Sequence, residues 1–161
     1  MAEKESSDSE LLHLSKILVP IDGSPNASRA LGVGINLSKT YSSELIVLCV
    51  IPAPSVLVEA SVGLGMAPTG LDTYYKQQEM GANHFIDEAL AVARTRGVKI
   101  RGEVSRASKS IVEEIIDVAI SEKIEMIVIG TRGLGGFKKL LLGSVSSGVV
   151  THAQCNVLIV R

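Results

Sequence analysis

The chain has 161 residues, with 16 Lys and Arg against 17 Asp and Glu, and a formal net charge of −1 at pH 7. This length predicts a single domain, and the balanced charge offers no basic excess to neutralise a phosphate backbone, so a nucleic-acid partner is not expected. Aromatic residues make up only 3% and Trp is absent, which argues against a base-stacking platform for single strands and predicts an aliphatic core.

Residues 1–15 are polar and acidic, and they predict a flexible arm in front of a domain that spans residues 16–161. The arm lacks the basic start and the apolar stretch of a secretory signal peptide. No window of the sequence reaches the ~18 consecutive apolar residues of a membrane helix. We therefore expect a cytoplasmic protein without a membrane partner.

The two cysteines, Cys49 and Cys155, lie far apart, and each stands in an apolar run. Their spacing matches neither a zinc motif nor a disulfide scaffold, so both are predicted to be buried thiols. The histidines, His13, His84 and His152, are scattered along the chain. They predict neither a metal site nor a catalytic site.

The first part of the chain predicts two buried strands around a helix. Residues 16–21 and 45–51 are short, β-branched and nearly continuous apolar runs, which are typical of strands covered on both faces. Ser24 and Pro25 predict a helix start, because the Ser side chain caps a free amide and Pro suits the first helical position. Small and apolar residues then recur at helical spacing, at Ala27, Ala30, Leu31, Gly34 and Leu37.

Residues 52–70, rich in Gly, Ala, Pro and Ser, predict a loop that is longer than ordinary connections and therefore a candidate for function. A long helix follows, and Gly97 closes it. Its apolar stripe consists of Ala82, Phe85, Ile86, Ala89, Leu90 and Ala93. A third strand, residues 98–104, alternates charged and apolar residues, which predicts a position at the edge of the sheet.

Ser110 and Glu113 form a capping box that predicts a third helix. Its apolar stripe consists of Val112, Ile115, Ile116 and Ala119. Two more strands are predicted at residues 126–129 and 157–160, with a glycine-rich loop and a short helix, residues 144–151, between them. Five strands that alternate with four helices predict the α/β class: a doubly wound, mostly parallel sheet with helices on both faces.

Ligands of an open parallel sheet bind beyond the carboxyl ends of the strands, where the strand order reverses. Three segments of unusual composition follow predicted strands, namely residues 20–24, 50–54 and 130–146. In the last of them, Gly130 and Gly133 can take positive φ and can let backbone amides approach a phosphate without a Cβ in the way.

The end of that glycine-rich segment predicts an anion site. Gly143 and Ser144 open a helix whose free amides and dipole attract anions, and the hydroxyls of Ser144 and Ser146 add donors. Three basic side chains bring positive charge to the same segment: Arg132, Lys138 and Lys139.

Three other phosphate-associated families fail on this sequence. No window carries the Walker A pattern Gly-x4-Gly-Lys-Ser/Thr. The dinucleotide fingerprint Gly-x-Gly-x-x-Gly is missing after the first strand, where residues 22–25 are Asp-Gly-Ser-Pro. A response-regulator receiver would place an aspartate after the third strand, where Ser105 and Arg106 stand instead.

The glycine spacing of residues 130–144, Gly-x2-Gly-x9-Gly-Ser, resembles the G-2x-G-9x-G-[S/T] signature of the ATP-binding branch of the universal stress protein family. Residues 16–24 and 156–160 are similar to that family as well, so the resemblance covers residues 16–161. It implies an adenine nucleotide alpha-hydrolase-like fold with strand order 3-2-1-4-5. It also implies a homodimer in which the fifth strands pair.

The same resemblance implies a site for ATP, alone or with Mg²⁺, and no catalytic residue. The end of the first strand would line the nucleotide cleft, and the backbone of Val50 would meet adenine. The first two glycines of the signature, with Arg132, would surround ribose and phosphate, and residues 143–146 would cradle the phosphates. The implied binding residues are Pro20, Ile21, Asp22, Val50, Gly130, Arg132, Gly133, Gly143, Ser144, Val145 and Ser146.

These residues predict a stress-response binding module that holds ATP and signals its occupancy to a protein partner. A slow Mg²⁺-dependent ATPase is the alternative. Hydrolysis needs a base near the γ-phosphate, and residues 130–151 contain no carboxylate or His. Asp22 is expected at the other end of the cleft, where it can also cap the first helix with Ser24. A relative that binds AMP or no nucleotide is a further alternative, although the glycine signature argues against loss of binding.

Overall fold

The computed structural model of the protein describes residues 14–54, 70–133 and 142–161. Within them, strands and helices alternate as predicted. The strands are β1 (Lys16–Pro20), β2 (Glu44–Ile51), β3 (Ile100–Arg106), β4 (Met126–Gly130) and β5 (Asn156–Val160). The helices are α1 (Pro25–Tyr41), α2 (Leu71–Arg94), α3 (Ile111–Ser121) and α4 (Ser144–His152).

Some predictions fall outside the described residues. They concern residues 1–13 of the arm, residues 55–69 of the loop, and Lys138 and Lys139 of the glycine-rich segment.

The five described strands form one parallel sheet in the order β3-β2-β1-β4-β5, which confirms the predicted doubly wound fold and its strand order. In β1, Leu18 pairs with Ile46 of β2 on one side and with Ile127 of β4 on the other. Residues of α1 and α2 pack on one face of the sheet, and residues of α3 and α4 pack on the other. The inner strands are therefore almost fully buried and read as continuous apolar runs.

The predicted ends of the helices are confirmed where the signals are local. Ser24 caps α1, since its Oγ accepts a hydrogen bond of 3.2 Å from the Ala27 amide. Ser110 caps α3 in the same way, with the Glu113 amide as donor at 3.1 Å. Gly97, with φ of 69°, turns the chain after α2. None of the described helices combines the length and the apolar character needed to cross a bilayer.

The described fold begins two residues before β1. Leu14 is 2% exposed and packs into the core on the α1 and α2 face of the sheet. Its carbonyl accepts a hydrogen bond from the hydroxyl of Ser43. The Ser15 carbonyl accepts another, of 2.8 Å, from the Glu44 amide. Both bonds tie this segment to the start of β2.

The structure corrects two details of the predicted elements. β3 lies at the edge of the sheet, as predicted, but it spans Ile100–Arg106 and so begins two residues later than expected. The chain reverses at Gly97 and first buries the side chain of Val98 in the core, so that Val98 belongs to the connection. In α3, Val118 is buried as well, although the predicted stripe omitted it.

An ion-pair cluster covers the amino ends of the strands beside β3. The Arg101 guanidinium contacts three carboxylates, at 2.5 Å for Glu122, 3.3 Å for Glu103 and 3.4 Å for Glu44. Glu122, which follows α3, also binds the Lys16 ammonium at 3.1 Å. We call these five residues the amino-edge cluster; it joins β1, β2, β3 and the end of α3.

Candidate functional site

A cleft of about 890 Å³ opens at the carboxyl ends of β1, β2 and β4. The strand order reverses between β1 and β4, because the connection after β1 leads to β2 while the connection after β4 leads to β5; this is the position where open α/β sheets bind ligands. All eleven residues predicted for the site line this one cleft: Pro20, Ile21, Asp22, Val50, Gly130, Arg132, Gly133, Gly143, Ser144, Val145 and Ser146. What they bind remains a prediction.

Asp22 is held by the turn that leads from β1 into α1. Its Oδ1 accepts a hydrogen bond of 3.0 Å from the Ser24 amide, so it orders the turn while Ser24 itself caps the helix. Gly23, between them, has φ of 79°, and the ring of Phe85 lies against it where a Cβ would stand. The Ser24 amide therefore holds the carboxylate, and Phe85 packs against the turn that carries it.

The first two glycines of the signature are needed for space and not for positive φ, which corrects the expectation. A Cβ at Gly130 would lie 2.8 Å from the backbone carbon of Asn26 in α1. A Cβ at Gly133 would collide with Oδ2 of Asp22. Each glycine thus admits a close approach of the β1–α1 segment.

The position of Asp22 also differs from the expected one. We expected its carboxylate at the end of the cleft away from the phosphate segment, whereas it lies directly against Gly133. The two chain segments that follow β1 and β4 thus meet in the cleft. A carboxylate therefore stands beside the glycine-rich segment, although that segment contains none.

The start of α4 presents free backbone donors to the cleft. Gly143 stands before the helix with φ of −72° and has no side chain to cap it. The amides of Ser144, Val145 and Ser146 are the first three of α4, and the first amides of a helix lack acceptors within it. Because these residues line the cleft, their amides and the positive end of the helix dipole form a place for an anion.

Three hydrogen bonds hold the end of β4 and the segment that follows it. The buried Thr131 donates its amide to the Val160 carbonyl of β5 at 2.8 Å and accepts the Gly143 amide at 2.7 Å. The Ser146 hydroxyl donates to the Gly130 carbonyl at 2.6 Å and is buried. Its hydrogen is thus engaged within the protein, so the expected extra donor at Ser146 is reduced to the backbone amide.

A family model for the universal stress protein family matches residues 13–161. The chain belongs to the universal stress protein family. Universal stress protein YxiE of Bacillus subtilis is 31% identical to it over 160 residues, which cover 91% of this chain and 99% of that protein.

Several solved structures share the fold. Hypothetical protein MJ0577 superposes with a TM-score of 0.77 at 23% identity, covering 92% of this chain and 96% of that one. A universal stress protein in complex with cAMP has a TM-score of 0.65 at 23% identity, with coverages of 93% and 99%. The universal stress protein of Archaeoglobus fulgidus in complex with dAMP has a TM-score of 0.66 at 17% identity, with coverages of 94% and 100%.

Cys49 lies in the cleft of this family member and was not among the predicted site residues. It is buried, as predicted, whereas Cys155 is only half-buried; both are free thiols. Burial, and secondarily the negative charge of Asp22, raise the pKa of the Cys49 thiol to about 11. The thiol is therefore protonated at neutral pH and acts as part of the apolar wall.

Sequence reasoning also missed a wall of the cleft that α2 provides. Its lining residues are Gln77, Gln78, Gly81, Ala82 and Phe85. The apolar stripe of this helix was read only from Ala82 onward. Extending the same helical spacing back by one turn reaches Gln78 and Gly81, and this is the signal that would have placed them at the cleft.

Proposed function

We propose that this universal stress protein binds ATP in the cleft and acts as a nucleotide-dependent regulatory module in a stress response, with little or no hydrolysis. The observation that carries the proposal is the start of α4, where three amides without helical acceptors line the same cleft as Asp22 and the glycine-rich segment. The two structural neighbours described with cAMP and dAMP support an adenine nucleotide as the ligand.

The phosphate end of this site would be formed by backbone and one cation. Three amides and the helix dipole offer donors and positive potential at Ser144, Val145 and Ser146. Arg132 is the basic side chain among the described residues that line the cleft. A triphosphate, with Mg²⁺ on its oxygens or without it, matches this donor set, because every group in it favours negative charge.

The other end of the cleft suits the ring of a nucleobase. β2 contributes Leu48, Val50 and Ile51 to the lining, and Phe85 of α2 faces them from the same cleft. Such an apolar lining with few polar groups is typical of sites that bury a flat organic ring. The family resemblance assigns the contact with adenine to the backbone of Val50.

Slow hydrolysis of ATP is the second candidate, and the place of Asp22 favours it. Its carboxylate lies against Gly133 and is the acidic side chain among the described residues of the lining. Its engagement with the Ser24 amide at 3.0 Å argues for a positioning role. With Mg²⁺ and ATP we expect turnover well below the ~10 s⁻¹ typical of enzymes; a turnover in that range that Asp22→Asn abolishes would make the protein an enzyme.

Dimerisation through β5 is part of the proposal. β5 is the outermost strand on its side of the sheet, and its residues Val157–Val160 carry no charge. Open apolar edges are templates for further strand pairing, and a two-fold axis between two such strands gives the commonest kind of homodimer. A nucleotide-dependent dimer of this kind would act in the cytoplasm, where ATP is abundant, on a downstream protein partner.

Replacement of Gly143 tests the nucleotide site. An Asp at this position would take the cap position of α4, where Asp accepts the free amides, and would oppose phosphates with its charge. Calorimetric titration should show at least a hundredfold loss of ATP affinity for Gly143→Asp, with an equal or higher melting temperature. Gly143→Ala is the matched control, because it adds a Cβ without a charge. This Cβ would lie 3.4 Å from its nearest neighbour, the Thr131 carbonyl oxygen, which is an ordinary van der Waals contact. Equal affinity for ATP in wild type and Gly143→Asp would refute the site.

A further inference from the structure

Gly81 leaves an opening in the α2 wall that packing does not require. It lies inside the helix, where glycine is among the poorest helix formers. Its φ is not positive, and a Cβ built on it would meet no heavy atom of the described residues within 4 Å. Neither backbone strain nor crowding therefore demands a glycine at this place. The bare backbone faces the cleft and gives a flat ring room to lie against it.

Two carboxamides stand beside this opening. Gln77 and Gln78 precede Gly81 by four and three residues, so they are its neighbours on the helix surface, and both line the cleft. A carboxamide carries both donors and an acceptor, and Gln pairs with adenine through the N6 donor and the N7 acceptor. Guanine offers two acceptors along the same edge and is read by Arg or Lys, which are absent from the described α2 residues that line the cleft.

Contacts with the chain at the ends of β2 and β3 hold the first turns of α2 in place. The Arg106 guanidinium at the end of β3 binds Oε1 of Glu79 through two nitrogens, at 2.9 and 2.6 Å. It also lies 4.3 Å from the centre of the Tyr75 ring. The Tyr74 hydroxyl donates to the Pro52 carbonyl at 3.0 Å. The wall is thus ordered before a ligand arrives, which reduces the entropy lost on binding.

We propose that the α2 surface at Gly81, with the carboxamides of Gln77 and Gln78 beside it, recognises the adenine ring in this cleft and selects it over guanine. This inference rests on the proposed nucleotide function, and it assigns base recognition to side chains that the glycine signature does not contain. Phosphate binding at α4 and adenine recognition at α2 then contribute separately to the affinity for ATP.

A pair of leucine substitutions tests the opening. Gly81→Leu fills it. Gly32→Leu adds the same side chain to α1, at a helical glycine that is not among the residues lining the cleft and whose Cβ would also meet no described atom within 4 Å. Calorimetric titration of the full-length protein with ATP should show at least about a tenfold loss of affinity for Gly81→Leu and no change for Gly32→Leu. Gly81→Ala, the smaller change, should give an intermediate loss with an increased melting temperature.

The outcomes separate this inference from the proposed function. If both leucine variants keep the ATP affinity of the wild type while Gly143→Asp lowers it, the role of Gly81 would be overturned and nucleotide binding would remain intact. A wild type that binds no ATP would overturn both. Equal losses in the two leucine variants would also overturn the inference, because the effect would not belong to the cleft.

A second measurement tests the choice of base. The wild type should bind ATP more tightly than GTP, and the double variant Gln77→Met, Gln78→Met should reduce that ratio towards one, because methionine keeps the length of the side chain and removes its polar groups. A wild type without preference, or a double variant with an unchanged ratio, would overturn selection of adenine by these carboxamides.

Discussion

The two edge strands of the sheet differ in how they meet solvent. β3 carries Arg101 and Glu103, and ion pairs of the amino-edge cluster hold both. β5 has an uncharged sequence, Asn-Val-Leu-Ile-Val, and exposes the side chain of Leu158. Charged residues are a common protection against unwanted strand pairing, and an apolar edge without them invites it. The comparison indicates that one edge is closed and the other is available for assembly.

The largest effect is expected from proline at β5. The Asn156 amide and the Val160 carbonyl bond towards β4, and strand alternation turns the amides of Val157 and Ile159 outward. Ile159→Pro removes an outward donor, so light scattering at micromolar concentration should show a monomer where the wild type is a dimer. Ile159→Val is the control and should remain dimeric. A monomeric wild type, or a dimeric Ile159→Pro variant, would show that β5 is not the interface.

A smaller effect is expected from a charge at the same edge. Val157→Lys places an ammonium group on each side of the two-fold axis, and their repulsion should raise the dimer dissociation constant by about tenfold at low salt, and by less at 1 M salt because of screening. Ser108→Lys adds the same charge to an exposed residue just past β3 and should leave the constant unchanged. Analytical ultracentrifugation measures the dimer dissociation constant of each variant. An equal response of both variants would mean that net charge, and not the β5 edge, controls assembly.

Removal of the central cation should weaken the closed edge. Arg101→Met leaves Glu44, Glu103 and Glu122 without their shared partner, and we expect the free energy of unfolding to fall by about 1 kcal/mol or less, because the cluster is partly exposed. Lys99→Met is the control, since the Lys99 side chain is 79% exposed and its ammonium makes one ion pair with the described residues, of 3.8 Å with Glu44. Urea titration should show a smaller change for the control. A larger loss for Lys99→Met would contradict the central place of Arg101.

The smallest effect is expected on the stability of the fold at low pH. Hydrogen bonds from Lys16 and Arg101 hold the pKa of the Glu122 carboxyl below its usual value of 4.5. A carboxyl with a lowered pKa in the folded state stabilises the fold above its unfolded pKa, and this contribution disappears as pH falls through the folded value. Glu122→Gln should therefore flatten the loss of stability below pH 4.5. Parallel curves for the variant and the wild type down to pH 3 would rule out this contribution.

The sequence predicted the fold well because its signals are local or periodic. Ser24 and Ser110 cap amides three residues away, and the continuous apolar runs of β1 and β2 follow from burial on both faces. The start of β3 was wrong because Val98 is buried by tertiary packing and not by strand pairing. A helix end was predicted correctly where the capping contact lies close along the chain, and the start of β3 was wrong because contacts from elsewhere in the fold bury Val98.

The sequence predicted which residues gather at one cleft, and it predicted less well why those residue types stand there. The eleven residues line one cleft, but the reason for Gly130 and Gly133 lies in Asn26 and Asp22, which are more than 100 residues earlier in the sequence and contact the glycines only in the folded protein. The α2 wall was missed for a related reason. Gln78 is unremarkable in a helical sequence until the sheet beneath it is known.

Thr131 gives the cleft and the β5 edge a shared fixed point. Its carbonyl holds the residue that precedes α4, and its amide holds the last residue of β5. A ligand that shifts the start of α4 would pull on the carbonyl of the same residue whose amide anchors the outer strand. Such coupling is reciprocal: if nucleotide strengthens assembly by some factor, assembly strengthens nucleotide binding by the same factor. The concentration of subunits would then set the range of ATP concentrations to which the protein responds.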